Sequence, residues 1–578
     1  MFYLFANLYL NFFGILGMND SKANSPKALS SPVHSPLAKT QSIPWDNFSS
    51  WISCLCVVTF DLELGQVIEK VYPEHYHLTE TEKSNICYLS FPDSNTGCMG
   101  DNQFHFRIRS ENQSRSVSRH LDAALKKDLQ HYYGCVTFRQ VKDPSIKRGY
   151  FQKSLVVLSH LPFVDLYLYL AKIIAPEYFE NGEVALETVC YQIDRWPCPY
   201  PGQLLHLPVM GEVLEVKVPT NLSKFKMKPI KKVLPPPEIK PSLFFHCGYK
   251  ANLYTCFGKV LTHLHLLWEL VLLAEPLIVM APSPEICSEG VQSLLTLINP
   301  LPYVCDYRPY FTIHDSELKE YTGRTHTPPN VILGVTNPFF AKTLQMWPHI
   351  LRIGEMPSLN MNKKSRRAQE SKQGVYTKYK PCLDRDKLLL KQLQKSNPSG
   401  SRPVEVQNAI VRNYMTELTQ SFMIPLERYI ASLMPLQRSI SPWRSPPKLR
   451  QFNIEEFIQT LPQYGPQLTS KMKGNWQGLY RKFFHSPNFE SWFDCKKNEV
   501  NQKLEILHLE ALSTANLDQY LKEKDEVELV DLYNQMKLKI QKCRSLHISS
   551  KVQGDIFLQT EKILLALPTD LQEMIKRS

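Results

Sequence analysis

The stretch HLHLLWELVLLAEPLIVMAPSP, from His263 to Pro284, constrains the fold more than any other part of the chain. Its first half places apolar residues at helical spacing as far as Ala274, and Pro276 forbids the helix to continue. The run LIVMA that follows reads as a strand buried on both faces. A helix feeding such a strand is the repeating unit of an α/β sheet, so Trp268, Leu272 and Val279 are expected in its core. Glu269 is the residue that does not fit. A carboxylate in so apolar a run is costly to bury unless it is paired, so Glu269 must cap something local or face a polar partner.

Around this unit the pattern predicts α/β, α/β, then mainly α. Residues 1–44 form an apolar leader and a Ser/Pro-rich disordered segment. The leader lacks a basic n-region and is short for a membrane span; it is read as an extension preceding a start near Met18 rather than as an anchor. From 45 to 220 the reading is a β-hairpin (CLCVVTF and QVIEKVYP around the turn DLELG), two further strands, then two helices. Residues 221–242 are a Pro/Lys linker. Residues 243–356 alternate helix (263–274), strand (277–281), helix (288–299), strands (309–313 and 330–335) and helix (338–346), which predicts a doubly wound sheet. A basic mobile loop over 357–402, a helical region over 403–495 and C-terminal helices over 496–578 complete the expected layout.

The chemistry is sparse. There is no phosphate-binding glycine loop, no G-x-S-x-G elbow and no H-E-x-x-H helix, so no catalytic residue, metal or cofactor is expected. The 14 cysteines include no C-x-x-C pair and read as reduced thiols, with Cys54 and Cys56 on one face of a strand. The neighbours His314, Asp315 and Ser316 have the residue types of a triad, but adjacent residues usually point apart. His263 and His265 are two apart on a helix and do not share a face. Asn337 followed by Pro338 is a helix start. The net charge of +12 favours an acidic protein surface or an anionic lipid and does not by itself indicate nucleic acid. No later segment reads as transmembrane.

Long segments, taken in order, resemble the DENN-domain family, in its sixth subfamily and the B branch of it. They include CLCVVTFDLELGQVIEKVYP, RGYFQKSLVVLS, LWELVLLAEPLIVMAPSP, DYRPYFTIHDSE, PPNVILGVTNPFFAKTLQMWPHILRIG and SPNFESWF, and together span nearly all of Trp45 to Leu567. The resemblance implies an upstream longin-like α/β part (45–220), a DENN core part (243–356) and a downstream helical part (403–495). It implies a guanine nucleotide exchange factor for a Rab GTPase of the Rab14 type, cytoplasmic and recruited to recycling endosomes, with a role in membrane traffic and cadherin turnover. The segments 110–131 and 224–258 depart from the family pattern.

No catalytic side chain is needed for exchange, so the expected sites are surfaces. Asp61 and Glu63 on the hairpin would offer carboxylates to the GTPase. The turn Thr336, Asn337, Pro338 and Phe339 would meet an apolar patch of it. The alternative is an adaptor that binds a Rab or a membrane without exchange, with 357–402 in weak contact with anionic lipid. If the chain instead promoted hydrolysis, Arg107, Arg109 or Arg139 would be the candidate arginine finger.

Overall fold

Two five-stranded sheets, one antiparallel and one mostly parallel, organise the computed structural model. It describes residues 43–577 other than 94–97, 112–127, 148, 220–242, 247–248, 324–326, 355–371, 395–401, 437–439, 462–472, 522–523 and 547. The apolar leader, the linker 221–242 and the KKSRR run therefore lie outside the described residues.

The first sheet contains β1 (Cys54–Asp61), β2 (Gly65–Tyr72), β3 (Gly100–Arg109), β4 (His131–Lys142) and β5 (Tyr150–Ser159), in the order β2-β1-β5-β4-β3. Alternation along the strands gives it two faces. Cys54, Cys56 and Val58 join Phe104, Phe106 and Ile108 under Ile86 of α2 (Glu80–Leu89), and the thiols of Cys54 and Cys56 sit 3.6 Å apart on that face. Thr79 and Glu82 start α2 with a reciprocal capping box. α1 (Phe48–Trp51) precedes the sheet, and α3 (Val164–Asn181) and α4 (Glu183–Asp194) follow it. Cys135 lies on the opposite face, with its sulfur 3.8 Å from the Val164 carbonyl at the start of α3.

Three short strands come next: β6 (Leu204–Val209), β7 (Glu212–Lys217) and β8 (Leu243–His246). β8 pairs in parallel with β7, so a sheet joins the two parts that a linker was expected to separate.

The second sheet is built as the opening stretch demands. α5 (Leu253–Phe257) and a 3-10 turn (Gly258–His263) lead into α6 (Leu264–Leu272), then β9 (Leu277–Met280) and α7 (Pro284–Thr296). β10 (Asp306–Phe311), α8 (Leu318–Thr322), β11 (Val331–Val335), α9 (Phe340–Thr343), β12 (His349–Arg352) and β13 (Gly374–Thr377) complete it. The strand order is β10-β11-β9-β12-β13, parallel except for β13. Leu277 and Val279 pack with Leu267, Val291 and Leu294 of α6 and α7, whereas Ile278 and Met280 pack with Tyr321 and Phe340 of α8 and α9. Helices thus cover both faces, and Trp268, Leu272 and Val279 are fully buried.

The partner of Glu269 is polar and distant in sequence. Its carboxylate is fully buried and accepts hydrogen bonds from the Tyr379 hydroxyl, the Cys382 N–H and the Leu383 N–H, each at 2.8 Å. Burial raises its pKa, and these three donors pull against that rise. The clamp secures the chain just after β13, within the stretch expected to be a mobile loop. That stretch also contains α10 (Lys387–Gln394), whose Leu389 and Leu393 are buried in the same core as α6. Lysine-rich composition concealed both elements.

The remaining described chain is helical. α11 (Val404–Ser432), with Pro425 inside it, α12 (Ile454–Thr460), α13 (Trp476–Phe483) and the start of α14 (Pro487–Ser513) pack against α6. Trp268 Nε1 donates to Thr419 at 2.9 Å, and Asn488 Nδ2 donates to the carbonyls of Val271 and Leu272 in the last turn of α6. α14 runs unbroken through the boundary expected at 495. It continues into a second core made with α15 (Leu517–Leu521), α16 (Glu526–Ser545) and α17 (Ser550–Ala566), before α18 (Thr569–Arg577). Among the described residues no helix is long and apolar enough to cross a membrane.

A candidate interaction surface along one edge of the two sheets

The two large sheets meet where β3 faces β10. The sequence marks this junction by an unusual alternation: Phe104, Phe106 and Ile108 enter their own sheet's core, while the His105 ring lies beside Gln292 of α7 and Arg107 reaches Asp306 of β10. The His105 N–H meets the Ser288 hydroxyl of α7 at 3.4 Å. Arg107 pairs with Asp306 and with Asp128 (2.8 Å), and Arg308 returns the contact by donating to the Arg107 carbonyl at 3.1 Å. Arg308 is almost fully buried and also binds Asp306 (3.0 Å) and Glu317 (2.5 Å). Burial would raise the Asp306 carboxyl, but Arg308 and Arg107 overcome it and hold the group below its usual range. A cavity of about 520 Å³ opens here, lined by Arg107, Arg109, Asp128, His131, Tyr303 and Tyr307 among others. Its charged groups already neutralise one another.

The opposite end of the same junction is different in kind. Phe104 and Tyr310 meet edge to face at 5.5 Å, and the Tyr310 hydroxyl accepts from the Asp93 N–H at 2.9 Å. Asn337 Nδ2 donates to Asp93 at 3.0 Å. Strand register shows what else lies at this end. Thr59 pairs with Lys153, Lys153 with Arg139 and Arg139 with Asp101. The β1–β2 tip, the β4–β5 turn, the start of β3 and the end of β11 therefore share one edge. With strands about 4.8 Å apart, this edge extends roughly 14 Å from β1 to β3 before the second sheet begins. Large apolar side chains are exposed on each part of it: Leu62 (58%) and Leu64 (77%), Val141, Met99, and Phe339 (50%).

The expected site residues all fall on this edge, but their side chains differ in availability. Asp61 Oδ1 accepts from the Glu63 and Leu64 N–H groups at 2.8 and 2.9 Å, so that carboxylate oxygen is used in closing the turn. The Leu64 and Glu63 amides lower its pKa. Glu63 is exposed. Thr336 is buried and Pro338 is half-buried. Asn337 is divided between Asp93 and the Phe339 N–H, which its Oδ1 caps at 2.9 Å. Phe339 is the exposed member of that turn. Leu62 and Leu64 were not singled out in the sequence; the available signal was two leucines inside a turn closed by Asp61 and Gly65.

The other tempting groups do not converge. His314 stacks on Tyr88 at 4.4 Å, Asp315 accepts from the Glu317 N–H, and Ser316 accepts from Asn85. His265 is buried 3.0 Å from the Tyr414 hydroxyl, and burial pushes its pKa down to about 4. Arg139 is held by Asp101 at 2.6 and 2.7 Å, and Arg109 lies among Asp306, Glu317 and Glu320. Among the described residues no cluster of three metal-ligating side chains forms.

Similarity to known proteins extends over nearly the whole chain. The family model of the DENND6 C-terminal domain matches residues 517–578, and that of the transport protein Avl9 matches residues 52–193. The chain is 52% identical over 554 residues to DENND6A of Gallus gallus, covering 93% of this chain and 95% of that protein. It is 48% identical over 585 residues to DENND6B of Homo sapiens, with 97% and 99% covered. A DENND6 homolog of Dictyostelium discoideum is 33% identical over 583 residues, with 88% and 79% covered. These identities do not set the chain in the B branch that its wording suggested. With similarity of this extent along nearly its whole length, the chain belongs to the DENND6 family.

Proposed function

We propose that this protein is a guanine nucleotide exchange factor for a Rab GTPase of the Rab14 type. In this reading, the 45–220 part is longin-like, 243–356 is the DENN core and 403–495 is the downstream helical part. The edge shared by the first two parts holds the switch regions of the GTPase. The observation that carries the reading is the composite edge, where exposed apolar side chains from separate turns of both sheets lie together. Membership of the DENND6 family supports it.

The chemistry required is differential binding. An exchange factor shifts its partner only by binding the nucleotide-free form more tightly than the GDP-bound form. Contacts that fit an opened switch, and are lost when it closes, suffice to release GDP. The protein would act in the cytoplasm, at recycling endosomes.

The test is release of labelled GDP from purified Rab14, with and without the full chain. Accelerated release is expected. Binding without acceleration across a panel of Rab proteins would replace exchange by the adaptor reading.

A further inference from the structure

We propose that the tip of the β1–β2 hairpin is a contact finger, with Leu62 and Leu64 entering an apolar groove of the GTPase that is bordered by basic groups. This deepens the exchange reading and rests on it.

The hairpin leaves three residues between Asp61 and Gly65, which pair with each other in register. Gly65 has a φ of 81°, the left-handed conformation that closes such a loop and that glycine adopts without strain. Asp61 fixes the turn from the other side through its two backbone hydrogen bonds. The closing groups are backbone amides and Asp61, so the leucine side chains take no part in closing the turn. They remain 58% and 77% exposed on a turn that is already set. A preorganised apolar tip loses little freedom on binding, which is the economy expected of a contact residue. Val141 and Met99 extend the apolar character along the same edge.

Charge selects the occupant. Exposed Glu63 stands between the leucines and Asp61 lies at their base. Two carboxylates at an apolar tip oppose insertion into an anionic membrane. They suit a protein groove with basic residues at its margin.

The decisive variant is Leu62→Ser with Leu64→Ser, made in the full chain. Its thermal midpoint should stay close to that of the parent, because both side chains are mostly exposed. Its stimulation of GDP release from Rab14 should fall about tenfold or more, as for truncation of central contact residues. Leu62→Met with Leu64→Met should restore most of it. Parent-like release by the serine variant overturns the finger while leaving the exchange reading intact. Loss of exchange accompanied by loss of sedimentation with anionic vesicles also overturns it, by assigning the tip to lipid. If the parent releases no GDP, the exchange reading itself fails. Photo-crosslinking from position 64 to nucleotide-free Rab14 then decides: an adduct keeps the contact, and its absence removes it.

Discussion

The two ends of the β3–β10 junction are made of opposite materials. At one end Arg107, Arg308, Asp306, Asp128 and Glu317 form a mostly buried network that ties the sheets together through charge. At the other, a tyrosine, an asparagine and an aspartate make a few neutral or singly charged hydrogen bonds, and apolar side chains face outward. A surface that must receive a partner cannot bury its contact residues. A junction that must keep that surface in shape can place its strong contacts elsewhere. If the edge is the proposed contact surface, holding and contacting are separated along a single pair of strands.

Five measurements break or sharpen this contrast. Arg308→Ala should destabilise the fold most, by about 3–5 kcal/mol, because it strands buried carboxylates; chemical denaturation showing under 1 kcal/mol would remove the claim that this end holds the sheets. Asp315 lies beside the network, and burial raises its pKa from 3.8 to about 6. A raised carboxyl favours the fold when protonated, so stability should fall as pH rises from about 4 to 6, by on the order of 3 kcal/mol. Asp315→Asn should flatten that slope in thermal melts, and an unchanged slope would place its origin elsewhere.

The other end should respond less. Tyr310→Phe deprives the Asp93 N–H of its acceptor and should cost about 1–2 kcal/mol. Asn337→Ala removes a half-buried bridge and a cap, for about 1 kcal/mol. If either cost matched that of Arg308→Ala, the two ends would not differ. The serine pair at Leu62 and Leu64 should cost less than about 0.5 kcal/mol, as surface changes do. A drop in the denaturation midpoint there would show that the tip is packed.

Legibility followed the range of the interactions. Continuous apolar runs such as LIVM of β9 were readable because burial on both faces leaves no polar position to confuse them. The β1–β2 hairpin was readable because its turn closes locally. β3 was not foreseen: its alternation was present, but His105 and Arg107 meet elements of the second sheet about two hundred positions later in the sequence. β13 and α10 were lost inside a basic stretch, where composition pointed to a loop. Glu269 announced that it needed a polar partner, yet nothing periodic connects it to Tyr379, Cys382 and Leu383 more than a hundred positions later. On the candidate edge the turns were legible, but which side chains they consume was not. Asp61 was expected to be offered to a partner, and one of its two carboxylate oxygens is engaged by its own backbone.

The Glu269 clamp has a consequence for how the chain tolerates being cut. β12 and β13 pair directly, and Glu269 grips the residues just beyond β13, so both ends of the intervening stretch are secured independently. Because β13 is held by its pairing with β12 and by the Glu269 clamp, the fold is expected to survive a break in the backbone between Arg352 and Gly374. A protease nick there would yield two fragments that remain docked as a complex, and separately expressed halves divided at that point could reassemble.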